Sequence, residues 1–136
     1  MKLIYPESET WLGSVDHVIS GLLIDQSGVV EQEVLQRTLD SYLANLQNRR
    51  VLVKIDTEGH EYSVLQGAWS VVQRCRPLVI FECWGTETRQ KLREFFRQSN
   101  YQLYRLPWSP TEGAAALTDR DFIDSAQTNF IAVPSN

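Results

Sequence analysis

Apolar residues change their spacing several times along this chain, and each change marks an element. From Thr38 to Asn48, Leu39, Tyr42, Leu43 and Leu46 recur at intervals of three and four, which predicts a short amphipathic helix. Val51-Leu52-Val53-Lys54-Ile55 is a short, nearly continuous apolar run ending in Asp56, the pattern of a strand covered on both faces, with Lys54 the one dissenting residue. Beyond Gly59 the apolar positions Val64, Leu65, Ala68, Val71 and Val72 return to helical spacing. Glu61 stands in the first turn of that helix, where a carboxylate interacts favourably with the helix dipole.

After Pro77, Leu78-Val79-Ile80-Phe81 is a second uninterrupted apolar strand, closing on Glu82. A helix separates it from the first strand, so the two are expected to lie parallel. Glu87 to Ser99 carries Leu92, Phe95 and Phe96 on one side among charged residues, an amphipathic helix with a solvated face. Tyr101 to Leu106 alternates, Pro107 to Thr118 is rich in Pro, Gly and Ala, and Asn129 to Val133 reads as a last strand stopped by Pro134. The loop between these two strands is too long for a tight hairpin. In the leader, Met1 to Gln36, the clusters Val18-Ile19, Gly21 to Ile24 and Val29-Val30 each fit a short strand or a loop. Strands alternate with helices until the closing pair and nothing repeats, so the class is α/β, one domain over residues 1–136 with its legible part from residue 37 onward.

Composition narrows the function. With 43% hydrophobic residues, four Trp, five Tyr and five Phe, the 136 residues suffice for one packed core, which argues against disorder. A net charge of −4, with Lys and Arg scattered, supplies no basic field for nucleic acid or anionic lipid. Two cysteines, Cys75 and Cys83, form no CxxC pair and have no His at zinc-ligand spacing, so both are expected to be thiols in a reducing compartment. No run approaches the roughly 20 apolar residues that cross a bilayer, and the first residues lack the apolar stretch of a secretory signal, so cytoplasmic residence is the expectation.

In open α/β sheets, ligands sit beyond the carboxyl ends of the strands, and the two clearest strands end in Asp56 and Glu82. The turn Asp56-Thr57-Glu58-Gly59-His60-Glu61 is the densest polar cluster in the chain. Asp56 either orients a ligand or caps the following helix. Glu58 and Glu61 either act as bases or acceptor ligands or serve the helix dipole. His60 is a candidate base that titrates near neutrality, with plain solvated surface as its alternative. Glu82 either faces the same crevice as Asp56 or bonds backbone amides. No ligand geometry among them specifies a metal, and none is expected. Trp84, just beyond a strand end, is the one Trp placed to line a pocket; Trp11, Trp69 and Trp108 fit ordinary packing.

The segment Lys54 to Ala68, KIDTEGHEYSVLQGA, followed by Pro-Leu-Val-Ile-Phe-Glu at 77–82, closely resembles the FkbM-type methyltransferases. Thr38-Leu39-Asp40 and Asn129 to Pro134 are similar to flanking signatures of that family, so the resemblance covers roughly the last two thirds of the chain in family order. It implies S-adenosylmethionine as cofactor and methyl transfer to an oxygen, often a sugar or natural-product hydroxyl. Asp56, Glu58, His60 and Glu61 would then be the catalytic candidates, and Asp56 and Glu82 the cofactor-binding ones.

The implied fold is a Rossmann-like half-sheet: parallel strands, a closing antiparallel pair, and helices on the faces. The resemblance starts at the family's fourth strand, and no two of the seven glycines form the GxG turn that such folds use for the cofactor. A truncated domain is therefore expected, with a non-catalytic interaction module as the alternative. Truncation would leave strand 51–55 with an unpaired edge; a homodimer through that edge, or coverage by residues 1–36, would each satisfy its backbone groups, the homodimer being the favoured expectation and Lys54 helping to protect the edge.

Overall fold

The computed structural model describes residues 2–6, 28–43 and 50–135. The chain divides into two compact units, 1–37 and 38–136. In the first, β1 (Lys2–Pro6) and β2 (Val29–Glu33) pair antiparallel in a register running from Lys2 opposite Glu33 to Pro6 opposite Val29. The cluster Val29-Val30 thus belongs to a strand, while Val18-Ile19, Gly21 to Ile24 and Trp11 lie outside the described residues.

The second unit is a mixed α/β layer. Its elements are α1 (Leu39–Tyr42), β3 (Leu52–Ile55), α2 (Glu61–Gln66), α3 (Trp69–Cys75), β4 (Leu78–Glu82), α4 (Thr86–Gln98), β5 (Tyr101–Arg105), α5 (Asp119–Ile123) and β6 (Asn129–Pro134). The four strands lie in the order β3-β4-β6-β5. As the sequence pattern predicts, β3 and β4 are parallel, with Ile55 beside Phe81, and the closing strands run antiparallel, β6 lying between β4 and β5.

Alternate residues of each strand face the helices. Ile55, Val79, Phe81, Phe130, Ala132, Leu103 and Tyr101 form one continuous core with Leu65, Val72, Leu92, Phe95, Phe96 and Phe122. Ring packing reinforces it: Phe81 stacks on Phe96 at 5.2 Å, and Phe122 meets Phe130 edge-on at 4.8 Å. The opposite set in the two parallel strands, Leu52, Lys54, Leu78, Ile80 and Glu82, is exposed or half-buried. The expectation of full cover on both faces, drawn from nearly continuous hydrophobicity, is corrected here. Burial alternates with the two-residue period of the pleat even though hydrophobicity does not.

Two further differences have physical causes. The single helix predicted after Gly59 is two helices, broken at Gly67-Ala68 because α1 docks there. Asp40 N–H donates to the Gly67 carbonyl at 2.9 Å, and a Cβ on Gly67 would stand 3.4 Å from Thr38. The Asp40 carboxylate then accepts from Ser70 N–H and Val71 N–H, both at 2.9 Å, capping α3 from thirty residues upstream. Of the helix expected from Thr38 to Asn48, the described part is Leu39–Tyr42, begun by the Thr38 hydroxyl accepting from Ser41 N–H; residues 44–49 lie outside the described set. Helix α5 has no counterpart in the hydrophobic pattern. A reciprocal capping box between Thr118 and Asp121 starts it, and the single buried anchor Phe122 holds it.

Candidate functional site

The parallel pairing of β3 and β4 brings both strand ends to one place. Ile55 lies beside Phe81, so the residues that follow, Asp56 and Glu82, emerge as neighbours. Asp56 is 43% exposed and accepts from the Lys54 ammonium at 2.6 Å. That hydrogen bond holds its carboxyl below the usual range against the upward push of burial, and the Glu82 side chain contributes in the same downward direction. At neutral pH Asp56 is therefore an anion at an accessible strand end.

The turn after Asp56 is built around Glu61. Its side chain is only 1% exposed. Its Oε1 accepts from Thr57 N–H at 3.2 Å, the Thr57 hydroxyl at 3.1 Å and Gly59 N–H at 3.1 Å. A carboxylate folded back in this way satisfies amides that would otherwise be stranded before α2, and it carries the charge that the helix N-terminus favours. The tight reversal needs left-handed backbone at Glu58 (φ 49°) and Gly59 (φ 99°), which makes glycine the natural residue at 59. Glu58 projects into solvent and makes no hydrogen bond or ion pair among the described residues. His60 is half-buried just ahead of α2 and makes no side-chain capping bond to it.

Of the five candidate residues, then, Asp56 and Glu82 come together at the strand ends, Glu61 is committed to the turn beneath them, and Glu58 and His60 flank that turn. Trp84 follows, 58% exposed, ahead of Gly85 in a positive-φ conformation. Trp108 packs on Tyr104, and Trp69 packs edge-on against Phe95. Among the described residues no group of three His, Cys, Asp or Glu side chains is arranged to hold a metal ion.

Arg89 is a residue that hydrophobic patterning passes over. It is 6% exposed, and its two terminal nitrogens donate to the carbonyls of Cys83, Phe122, Ile123, Ser125 and Gln127. One guanidinium thus ties the end of β4 to the segment joining α5 to β6. Cys83, whose carbonyl accepts from Arg89, feels both this cation and Glu61. Burial, with a contribution from the Glu61 charge, pushes its thiol up to about 11 in spite of the nearby Arg89. A signal for Arg89 exists in the sequence, since it stands three residues before Leu92 on the apolar stripe of α4, where an arginine must be committed to buried acceptors.

Beside this segment, at the same end of the sheet, an open pocket of about 420 Å³ is lined by Arg105, Arg120, Asp121, Asp124 and Gln127 among others. Arg105 pairs with Phe130, which pairs with Phe81, so the pocket lies two strands across from Glu82.

These features define an α/β domain whose polar groups gather at the carboxyl ends of parallel strands, the usual ligand end of such sheets. The model of the methyltransferase FkbM domain matches residues 5–103, and the chain belongs to that family. The match begins inside β1 and ends inside β5, taking in the leader that the hydrophobic pattern leaves least legible. No curated protein and no solved structure matches the chain. No helix among the described residues is long and apolar enough to cross a membrane.

Proposed function

We propose that this domain transfers a methyl group from S-adenosylmethionine to a hydroxyl oxygen of a small molecule or sugar, on a Rossmann-like half-sheet, at the ends of β3 and β4. The observation that carries this reading is the meeting of Asp56 and Glu82, two carboxylates on adjacent parallel strands, in a chain of the FkbM family. The donor set fits the cofactor: an accessible, ionised Asp56 suits a sulfonium cation or ribose hydroxyls, and the exposed indole of Trp84 offers an apolar face for a ring. When bound, the cofactor supplies a methyl group on a positively charged sulfur.

The chain's own residues do the remaining work. Asp56, with its proton affinity lowered by Lys54, serves to hold charge and orient ligands rather than to take up a proton. Glu82 beside it orients the acceptor hydroxyl and receives its proton, for which it must stand within about 3 Å of that oxygen. Glu58 and His60, on the rim of the turn, are the other groups able to accept that proton. Glu61 acts as a positioning residue, because its three hydrogen bonds fix the turn from which Asp56 projects. The pocket beside Arg105 is where an extended acceptor would lie.

Titration calorimetry of the purified chain with S-adenosylmethionine and S-adenosylhomocysteine tests the reading. Micromolar binding is expected, weakened at least tenfold in Asp56→Ala. Absence of binding at millimolar cofactor would overturn it and leave the second reading, a non-catalytic module derived from a methyltransferase.

A further inference from the structure

The two edge strands of the four-stranded sheet are finished differently. At β5, the end of the loop from Pro107 to Thr118 is laid against the strand, Leu117 N–H donating to the Leu103 carbonyl at 2.8 Å. At β3, the Val51 carbonyl accepts from Leu78 N–H at 3.1 Å, and Leu52 lies opposite Leu78 in the parallel register. Residues 51, 53 and 55 therefore turn their backbone groups toward β4, and Leu52 and Lys54 turn theirs away from it. Among the described residues no backbone group bonds to them from that outer side, and the Leu52 side chain is 62% exposed. A strand of this composition with a free ladder is a template for pairing.

We propose that the outer edge of β3 joins a second copy of this chain, antiparallel about a twofold axis at Val53. The charges along the strand select both the occupant and the register. Only the outward-facing even-numbered residues can exchange hydrogen bonds across such an axis. An axis at Lys54 sets Lys54 against its own copy, and an axis at Leu52 sets Lys54 against Arg50; both oppose like charges, which is destabilising. An axis at Ile55 leaves only the short stretch from Lys54 to Asp56 paired before the chain turns at Glu58.

An axis at Val53 pairs the whole stretch from Arg50 to Asp56. Arg50 falls opposite the partner's Asp56, and Leu52 falls opposite the partner's Lys54. On the other face Val51 meets Ile55, and Val53 meets its own copy, so the match is self-complementary, as a twofold interface requires. It also places a second cation, the partner's Arg50, on the Asp56 carboxylate that Lys54 already holds, so each candidate site borrows one residue from the other copy.

The test is sedimentation equilibrium of the wild-type chain and two variants, with hydrogen exchange read at the Leu52 and Lys54 amides. The wild type is expected to dimerise reversibly, with protection of those two amides rising with protein concentration. Arg50→Glu, an exposed change, opposes two pairs of like charges and is expected to weaken the dimer at least tenfold; adding Asp56→Arg restores it to within about threefold. A wild-type monomer at all concentrations with both amides already protected would show that another segment of the chain covers the edge, and would overturn the proposal. So would a dimer that Arg50→Glu leaves unchanged. Neither outcome depends on cofactor binding, so the dimer and the methyl-transfer reading stand or fall separately.

Discussion

Arg76 and Asp56 stand at opposite ends of the same sheet and use their charges in opposite ways. Arg76, in a left-handed conformation just before β4, donates to the carbonyls of Ser99, Asn100 and Ser135 and lies 4.8 Å from the centre of the Tyr101 ring. Its three hydrogen bonds join the end of α4, the start of β5 and the tail after β6. Among the described residues Asp56 meets only its near neighbours Lys54 and Glu82, and it leaves oxygen surface to solvent. One end is stitched shut by its cation; the other presents charge. Between them Glu61 and Arg89 work inside the presenting end, holding the turn and the α5–β6 segment so that Asp56, Glu82 and Trp84 can remain accessible.

Removing a stitch from the presenting end should have the largest effect. Arg89→Ala should cost roughly 2–4 kcal/mol in urea unfolding, since it strands several buried carbonyls at once. Arg89→Lys should recover little, because an ammonium cannot span acceptors arranged around a planar fork. A loss under about 0.5 kcal/mol would mean that water replaces the guanidinium freely.

Arg76→Ala removes the stitch at the other end of the sheet. It is expected to cost about 1–3 kcal/mol and to leave cofactor affinity unchanged, whereas Asp56→Ala should change stability by no more than about 0.5 kcal/mol and weaken the cofactor. If both variants lost stability equally, Asp56 would be a structural residue.

The remote cap at α3 carries less than either arginine. Asp40→Ala should cost about 1 kcal/mol, measured in the same unfolding assay. The Asp40 carboxyl is subject to an upward push from burial, but the amides of Ser70 and Val71 outweigh it and hold the group below its ordinary value. A carboxyl depressed in the folded state contributes stability that is fully present above its unfolded value, near 3.9, and is lost as pH falls through the folded value. Stability should therefore be flat in this respect from about pH 5 to 8 and fall below about pH 4. Asp40→Asn should show a shallower acid limb, and an unchanged limb would remove Asp40 from the account.

Much of this architecture is legible in the order of residues. β3, β4, β6 and α4 follow from apolar runs and helical spacing, and the parallel pairing of β3 with β4 follows from the helical span between them. Asp56 and Glu82 are legible as a pair because strand ends in such sheets collect ligands. The capping box at Thr118 and Asp121 is local and could have been read, yet α5 buries only Phe122, too little apolar periodicity to announce a helix. The break at Gly67 could not be read, because it depends on Asp40 arriving from another part of the chain.

Local preferences are legible along the chain: hydrophobic period, strand length, and the polar turn from Asp56 to Glu61. Each of these depends on a few neighbouring residues, so the order of residues states them. Folding sets which polar groups are used up and which stay exposed. Glu61 and Asp56 look alike in the same six-residue turn, but folding buries one against Thr57 and Gly59 and leaves the other in solvent beside Lys54. Arg89 likewise became a buried clasp because residues 122–127 fold back to surround it. A side chain's charge is inherited from the sequence, whereas its burial and partners come from chain segments brought together across tens of residues. Those two properties settle whether a charge stabilises the fold or faces a ligand.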